Sequence, residues 1–188
     1  MLELASDVDP EVDDLFNNWC DHHHAELLSL PGVLRARRYV RIDGRRGTGR
    51  YLTTYDLDSE AVLDTPAFLD HRRTGTPIPD ELGPSLVYER TVATLVGWAG
   101  DISGTGGLVR YLAPSNSVGR APLADRLFET VPGAVVGVRV FQAGEGPEAP
   151  VVALLDHRSP ETFEADNSWR EAVAYRLVFD GSLPTATG

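Results

Sequence analysis

The chain has 188 residues, of which 42% are hydrophobic, and its formal net charge is −11. A chain of this length and composition suits one substantial soluble domain or two small ones. The strong negative charge argues against nucleic acid or an anionic membrane surface as a binding partner.

The absence of lysine and the presence of a single cysteine exclude further kinds of chemistry. All 17 basic residues are arginine, so no lysine can form a Schiff base, bind phosphate in a P-loop or act as a general base. Cys20 is the only cysteine, which excludes an internal disulfide and a thiolate metal cluster. The acidic start of the chain lacks a long apolar run, so neither a signal peptide nor a membrane span is expected. These features predict a cytoplasmic protein, and the many Ala, Gly, Pro and Arg residues indicate a GC-rich bacterial gene.

The first half of the chain predicts the element order β-α-β-β-α-β. Asp9-Pro10 is typical of a helix start, and Pro31-Gly32 is typical of a helix end. Alternation of apolar and polar residues predicts the strands. The predicted elements are a strand at 2–5, a helix at 10–30, strands at 33–42 and 51–57, a helix after Ser59, and a strand at 86–98.

The second half of the chain predicts the same order of elements. The predicted elements are a strand at 108–113, a helix at 121–131, strands at 131–143 and 151–157, a short helix at 159–167, and a strand at 170–179. The sequences of the two halves also match. LPGVLRARRYV aligns with VPGAVVGVRVF 101 residues later, which places Arg38 on Arg139. YLTTYDLDS aligns with VVALLDHRS 100 residues later, which places Asp56 on Asp156.

These matches predict an internal duplication, with shared turn chemistry as the alternative explanation. The predicted fold class is α+β, with two fused ferredoxin-like repeats that form a barrel-like body. The first repeat would span residues 1–101, a linker 102–106, the second repeat 107–182 and a tail 183–188. The sheet faces that the helices leave uncovered would enclose a ligand cavity. The duplication would place both halves of a dimer in one chain, and a further homodimer is left open.

Residues 16–39, FNNWCDHHHAELLSLPGVLRARRY, resemble a segment of the EthD-like dimeric α/β-barrel proteins. The family pattern begins F-N-x-W-Y-D-x-x-H and continues to a P-G pair, an alanine and an arginine. The matching residues are Phe16, Asn17, Trp19, Asp21, His24, Pro31, Gly32, Ala36 and Arg38. Cys20 stands where the family often has tyrosine, and Ala25-Glu26 replaces the usual apolar residue and proline. Residues 51–68 also resemble the family's strand and second helix.

The resemblance implies a dimeric α/β-barrel fold and an activity on small molecules. Members and relatives of this superfamily include cofactor-free monooxygenases, muconolactone isomerases, polyketide cyclases, and haem proteins built from fused repeats. Because one fold serves all of these reactions, the resemblance does not select one of them.

Three consecutive histidines lie in the first predicted helix, and they should face three directions because successive helical positions turn by about 100°. Such a triplet does not suit a zinc site, so no metal is expected there. His22 should face solvent, and His23 should pack on the apolar face. His24 is the candidate general base, with Asp21 one turn earlier to orient it. The alternative interpretation is that Asp21 and His24 form an ordinary i, i+3 side-chain pair on the helix surface, without a catalytic role.

Three predicted strands, at 33–42, 51–57 and 131–143, carry further candidate residues. Arg38 and Arg139 fall on apolar strand faces, which predicts salt bridges to carboxylates on the covering helices. A clamp for an anion or an enolate is the alternative. Arg37, Tyr39 and Tyr55 should face the cavity instead.

We therefore predict a cofactor-independent enzyme that acts on an aromatic or polyketide-type small molecule. The reaction would be a cyclisation, dehydration or isomerisation by general acid–base catalysis, or a monooxygenation. The predicted catalytic residues are His24 and Asp21, and the predicted substrate-binding residues are Trp19, Arg37, Arg38, Tyr39 and Tyr55. A haem protein with a histidine ligand and a non-catalytic binding or interaction domain remain the alternatives.

Overall fold

The computed structural model describes residues 1–43, 49–101, 106–113, 120–130, 135–146, 149–160 and 172–182. The chain divides into two compact units. The first unit comprises Met1–Arg38, Arg46–Arg90 and Val178–Gly188, and the second comprises Tyr39–Arg45 and Thr91–Leu177. None of the helices in the described ranges is long and apolar enough to cross a membrane.

The first unit contains, wholly or in large part, the elements β1 (Leu2–Asp7), α1 (Asp13–Leu28), β2 (Val33–Arg41), β3 (Tyr51–Leu57), α2 (Pro66–Thr74) and β4 (Val87–Val92). Its strands lie in the order β4-β1-β3-β2. β1 and β3 are antiparallel, and Leu2 pairs with Tyr55. The predicted element order of the first half is therefore confirmed.

The boundaries of several elements differ from the prediction for local reasons. Pro10–Val12 forms a short 3-10 turn, and α1 begins only at Asp13. Chain reversal after α1 uses Gly32, whose φ of +86° favours glycine. The second helix begins after Thr65, whose hydroxyl accepts a hydrogen bond from the Phe68 amide at 3.3 Å. The long strand predicted at 86–98 is two strands, β4 and β5.

The second unit contains, wholly or in large part, the elements β5 (Thr94–Gly100), β6 (Gly107–Ala113), α3 (Arg120–Thr130), β7 (Val135–Gln142), β8 (Val151–His157) and β9 (Val173–Ser182). Its strands lie in the order β9-β6-β8-β7-β5, and the registered pairs are antiparallel. Leu123 and Leu127 of α3 pack into an apolar core with valines of β7. The helix predicted at 159–167 lies mostly outside the described residues.

These elements confirm the coarser part of the fold prediction, a mixed α/β structure with antiparallel strands. The predicted linker at 102–106 and tail at 183–188 lie almost wholly outside the described residues. The predicted repeat boundaries stay a prediction.

An arginine–aspartate pair joins neighbouring strands in each unit, and the pair in the second unit is fully buried. In the second unit, Arg139 donates from Nε and Nη2 to the two carboxylate oxygens of Asp156, at 3.1 and 2.9 Å. The side chains of this pair are 3% and 0% exposed. In the first unit, Arg37 Nη2 donates to Asp56 Oδ2 at 2.6 Å. Each pair joins two neighbouring strands, β2 and β3 in the first unit and β7 and β8 in the second.

The predicted alignment of Arg38 with Arg139 stays a prediction, and the partners of the two arginines differ. The predicted bridge to a carboxylate on the covering helix is found for Arg38, but Arg139 pairs with a neighbouring strand instead.

Replacing Asp156 with asparagine should destabilise the protein by roughly 3–5 kcal/mol, because it removes the negative charge that is paired with the buried Arg139. The measurement is the free energy of unfolding in urea. Asp70→Asn is the matched control, since the Asp70–Arg73 pair has side chains that are 58% and 78% exposed and should contribute little. Equal losses in the two variants would contradict the prediction.

Candidate functional site

A cavity of about 500 Å³ lies in the first unit, between the two helices and the sheet face that α1 covers. Alternate residues of β1 and β3 line its floor, and α1 lines one wall. The loop after α2 and part of β4 complete it. The side chains are mostly apolar or aromatic, with a few polar groups, as in typical small-molecule sites. The lining includes Leu2, Leu4, Phe16, Trp19, His23, His24, Thr53, Tyr55, Phe68, His71, Arg72, Arg73, Thr76 and Arg90.

The buried face of α1 differs by one residue from the predicted face. Phe16, Cys20, His24 and Leu27 are buried, at the spacing of one helical stripe. His24 is 1% exposed, whereas His23 is only half-buried. The prediction that His23 is the packed histidine is therefore wrong. His22 is exposed, as predicted.

His24 and Tyr55 place two polar groups against the inner wall of the cavity. The rings meet edge to face, with centroids 5.6 Å apart. His24 Nδ1 and the Tyr55 hydroxyl are both buried, and neither finds a hydrogen-bond partner within the described parts of the chain. Because buried polar groups are normally paired, these two atoms are candidates for hydrogen bonds with a ligand.

Burial controls the protonation of both groups. Burial, the nearby Arg38 charge and His23 lower the pKa of His24 to about 3, so its ring is neutral at ordinary pH. Burial raises the pKa of Tyr55 well above 10, so its hydroxyl keeps its proton. The site thus offers one hydrogen-bond donor and one neutral imidazole.

Asp21 has a different partner from the predicted one. Its carboxylate accepts a hydrogen bond from Arg38 Nη2 at 3.0 Å. Arg38 Nη1 also donates to the carbonyl oxygen of Asn17 at 3.3 Å. Asp21 therefore orients Arg38, and the predicted pair of Asp21 with His24 is not formed. Burial raises the pKa of the neighbouring Cys20 thiol to about 11, which fits a small packed side chain and not a nucleophile.

The predicted site residues are only partly brought together. Trp19, His24 and Tyr55 line the cavity, but Arg37 and Tyr39 do not. Alternation along β2 places those two on the strand face opposite Arg38. Arg37 is engaged with Asp56, and Tyr39 is buried and belongs to the second unit. Asp21 and Arg38 also lie outside the lining.

A second group of side chains lies at the mouth of the cavity, and sequence reasoning missed it. The His23 ring stacks on Trp19 at 4.8 Å and on His71 at 5.4 Å. His71 Nδ1 lies 3.8 Å from a Glu26 carboxylate oxygen. Hydrogen bonds from Thr76 lower the pKa of Glu26, and burial, followed by the charge of His71, lowers the pKa of His23 to about 4. The side chain of His71 is only 9% exposed, and no local sequence pattern signals this packing.

The acid stability of the protein should depend on His24. Its folded pKa of about 3 lies below its ordinary value of 6.5, so its contribution is complete above pH 6.5 and is lost as the pH falls toward 3. Between pH 7 and about pH 4.5, the wild type should lose roughly 2–3 kcal/mol more unfolding free energy than His24→Gln. Denaturant titrations at the two pH values measure this difference. Equal losses would show that His24 does not remain neutral in the folded protein.

No family model matches the chain, and no curated protein matches it in sequence. Solved structures with a similar fold are known, however. An anthrone oxidase-like protein superposes with a TM-score of 0.63 at 13% identity, and the match covers 96% of this chain and 91% of that one. A protein named "putative monooxygenase" from Fusobacterium nucleatum subsp. nucleatum ATCC 25586 gives 0.59 at 9% identity, covering 96% and 93%. Another of the same name from Lactobacillus acidophilus NCFM gives 0.54 at 6% identity, covering 96% and 95%.

At such low identities these similarities establish the fold alone. They support the coarser prediction, a mixed α/β fold, which this chain shares with these structures. The EthD-like assignment and the tandem repeat remain predictions.

Proposed function

We propose that the protein is an enzyme that acts on an aromatic or polyketide-type small molecule in the cavity of the first unit. The observation that carries the proposal is the pair of buried, unpartnered polar atoms, His24 Nδ1 and the Tyr55 hydroxyl, on the wall of a cavity of about 500 Å³. "Unpartnered" refers to the described residues.

The shape and polarity of the cavity support a flat, partly oxygenated ligand. The rings of Phe16, Trp19 and Phe68 line it, and aromatic rings favour stacked or edge-to-face contacts with an aromatic ligand. Arg72 and Arg90 also line it. These positive groups, in a chain of net charge −11, favour a ligand with an enolate, phenolate or carboxylate edge.

The proposed chemistry is proton transfer next to a carbonyl group. The Tyr55 hydroxyl donates a hydrogen bond to the ligand's carbonyl oxygen and stabilises the enolate that forms. His24 Nδ1 accepts the proton from the adjacent carbon and later returns it to another atom of the ligand. His24 is a weak base in the empty cavity. The negative charge of the enolate beside it stabilises the imidazolium and so favours the transfer.

Asp21 has an indirect role in this scheme. It holds Arg38, and the Arg38 charge acts on both His24 and Tyr55. The positive charge of Arg38 therefore stabilises the developing oxyanion and keeps His24 neutral before the substrate binds. This role replaces the predicted one, in which Asp21 orients His24.

The names of the structural neighbours support a second reaction class for the same cavity. One neighbour is anthrone oxidase-like, and two are named monooxygenases. Removing a proton from an aromatic ketone gives an electron-rich carbanion, which is the form that dioxygen oxidises. Oxidation could thus follow the same first step.

We also propose that the chain is a fused pair of ferredoxin-like repeats with the EthD-like topology. The strand orders β4-β1-β3-β2 and β9-β6-β8-β7 are the same when each half is numbered separately. The Arg37–Asp56 and Arg139–Asp156 pairs support the same conclusion. Under α3 of the second unit the core contains Leu123, Leu127 and other apolar side chains, so the proposed site is that of the first unit. The acidic composition supports a cytoplasmic protein without nucleic-acid or membrane partners.

Substituting Tyr55 or His24 should separate catalysis from folding. Tyr55→Phe should lower kcat by about 10²–10³-fold, and His24→Gln by about 10²–10⁴-fold, on an anthrone or polycyclic phenol that the wild type converts. Tyr111→Phe is the matched control, because Tyr111 lies on β6 of the second unit and does not line the cavity. Product formation and oxygen uptake are measured together, which distinguishes isomerisation from oxidation.

Three outcomes would contradict the proposal. Unchanged turnover in folded Tyr55→Phe and His24→Gln variants would remove both residues from the chemistry. Saturable binding of such ligands without turnover of any of them would favour a binding domain. A Soret band that appears with hemin and is lost in His24→Gln would favour a haem protein.

A further inference from the structure

We propose that His23 and Glu26 of α1, together with His71 of α2, bind a divalent transition-metal ion at the mouth of the cavity. Each residue offers one ligand atom, and the three atoms all lie within 4.8 Å of one another. The inference goes beyond the proposed function, because neither His24 nor Tyr55 belongs to this cluster.

The ligand atoms of this cluster point toward a common centre, whereas the three consecutive histidines face different directions. His23 and Glu26 are three residues apart on α1, so they lie on the same face. His71 comes from another helix and faces them, with its ring 5.4 Å from that of His23. A metal held at about 2.1 Å from each ligand atom requires the three atoms to approach to about 3–3.5 Å. Small side-chain rotations are enough to close the remaining distance.

Two ring nitrogens in the cluster lack hydrogen bonds. His23 Nδ1 and His71 Nε2 are buried, and no residue that the structure describes bonds to either. Leaving a buried polar atom unpaired costs about 1–3 kcal/mol, so such atoms are uncommon in native folds. A cation that binds through His23 Nδ1 would remove this cost for that atom.

Neighbouring groups hold two of the three ligands in place. The Glu26 carboxylate accepts hydrogen bonds from the Thr76 amide at 2.9 Å and from the Thr76 hydroxyl. Each carboxylate oxygen keeps a further lone pair for a metal. Gly75 lies against the His71 ring, where a Cβ atom would be 2.4 Å from His71 Cε1. Supporting contacts of this kind are typical of metal sites, where they orient the ligands.

The donor set indicates the class of ion. Two imidazoles and one carboxylate suit Zn²⁺, Fe²⁺ or Co²⁺, whereas Ca²⁺ and Mg²⁺ prefer oxygen ligands. Three protein ligands leave coordination positions open. His23, His71 and Thr76 line the cavity, so those positions face the space where a ligand would bind. The site could therefore hold a water molecule or polarise an oxygen atom of the substrate.

The test uses metal ions alone on tag-free, chelator-treated protein. Co²⁺ should produce visible d–d absorption bands, and calorimetry with Zn²⁺ should show one ion per chain with a dissociation constant at or below about 1 μM. His71→Ala and Glu26→Gln should each weaken Zn²⁺ binding at least about 100-fold, and Thr76→Val about tenfold. His22→Ala is the matched control. His22 is an exposed histidine of α1 that contacts the Asn18 carbonyl, and its loss should leave binding unchanged.

Several results would overturn the proposal. These are an absence of stoichiometric binding, unchanged binding in His71→Ala and Glu26→Gln, or a loss of binding in His22→Ala, which would indicate the triplet. Circular dichroism and thermal melting verify that each variant is folded. If His71→Ala does not fold, Glu26→Gln decides, since its side chain is 42% exposed. Because the readout is metal binding and not turnover, its failure is distinct from failure of the proton-transfer scheme.

Discussion

The rotation of α1 about its own axis decides which side chains reach the cavity, and polar contacts to the sheet fix that rotation. Asp13 accepts hydrogen bonds from Arg50 at 2.8 and 2.9 Å and from the Tyr51 hydroxyl at 2.8 Å. Asn17 donates to the same hydroxyl at 3.2 Å, and Asp21 binds an arginine of β2. These three helix residues are spaced four apart, so they form one polar seam along the helix. The seam sets the direction of every other side chain on α1.

The seam gives the three adjacent histidines three different environments. His24 lies on the wall of the cavity, where burial keeps it neutral. His23 lies at the mouth, between Trp19 and His71. His22 contacts a backbone carbonyl on the exposed side. A helix turns by about 100° per residue. If the polar seam lay one residue earlier or later along α1, the histidines would therefore exchange environments. The proposed catalytic group and the proposed metal ligand are neighbours in sequence for this reason, yet they serve separate sites.

Sequence patterns predicted the elements well, because alternation and capping are local. They predicted the position of the side chains less well. The predicted buried face of α1 was wrong by one residue. Apolar periodicity carries no information about the polar seam that fixes the rotation of the helix. The carboxylate partner of Arg139 was expected on a covering helix, but Asp156 lies on the neighbouring strand. Alternation along one strand does not show which strand lies beside it.

By itself, the sequence determined the order of strands and helices in the described parts of the chain, the absence of lysine chemistry, and Trp19, His24 and Tyr55 as site candidates. Only the tertiary structure decided their partners. Asp21 is hydrogen-bonded to Arg38 and not to His24. Thr76, in the loop after α2, is hydrogen-bonded to Glu26. The physical reason is that propensity and periodicity act over a few residues. Burial, orphaned polar atoms and ligand clusters arise from contacts such as that of Glu26 with Thr76, 50 residues apart in the chain.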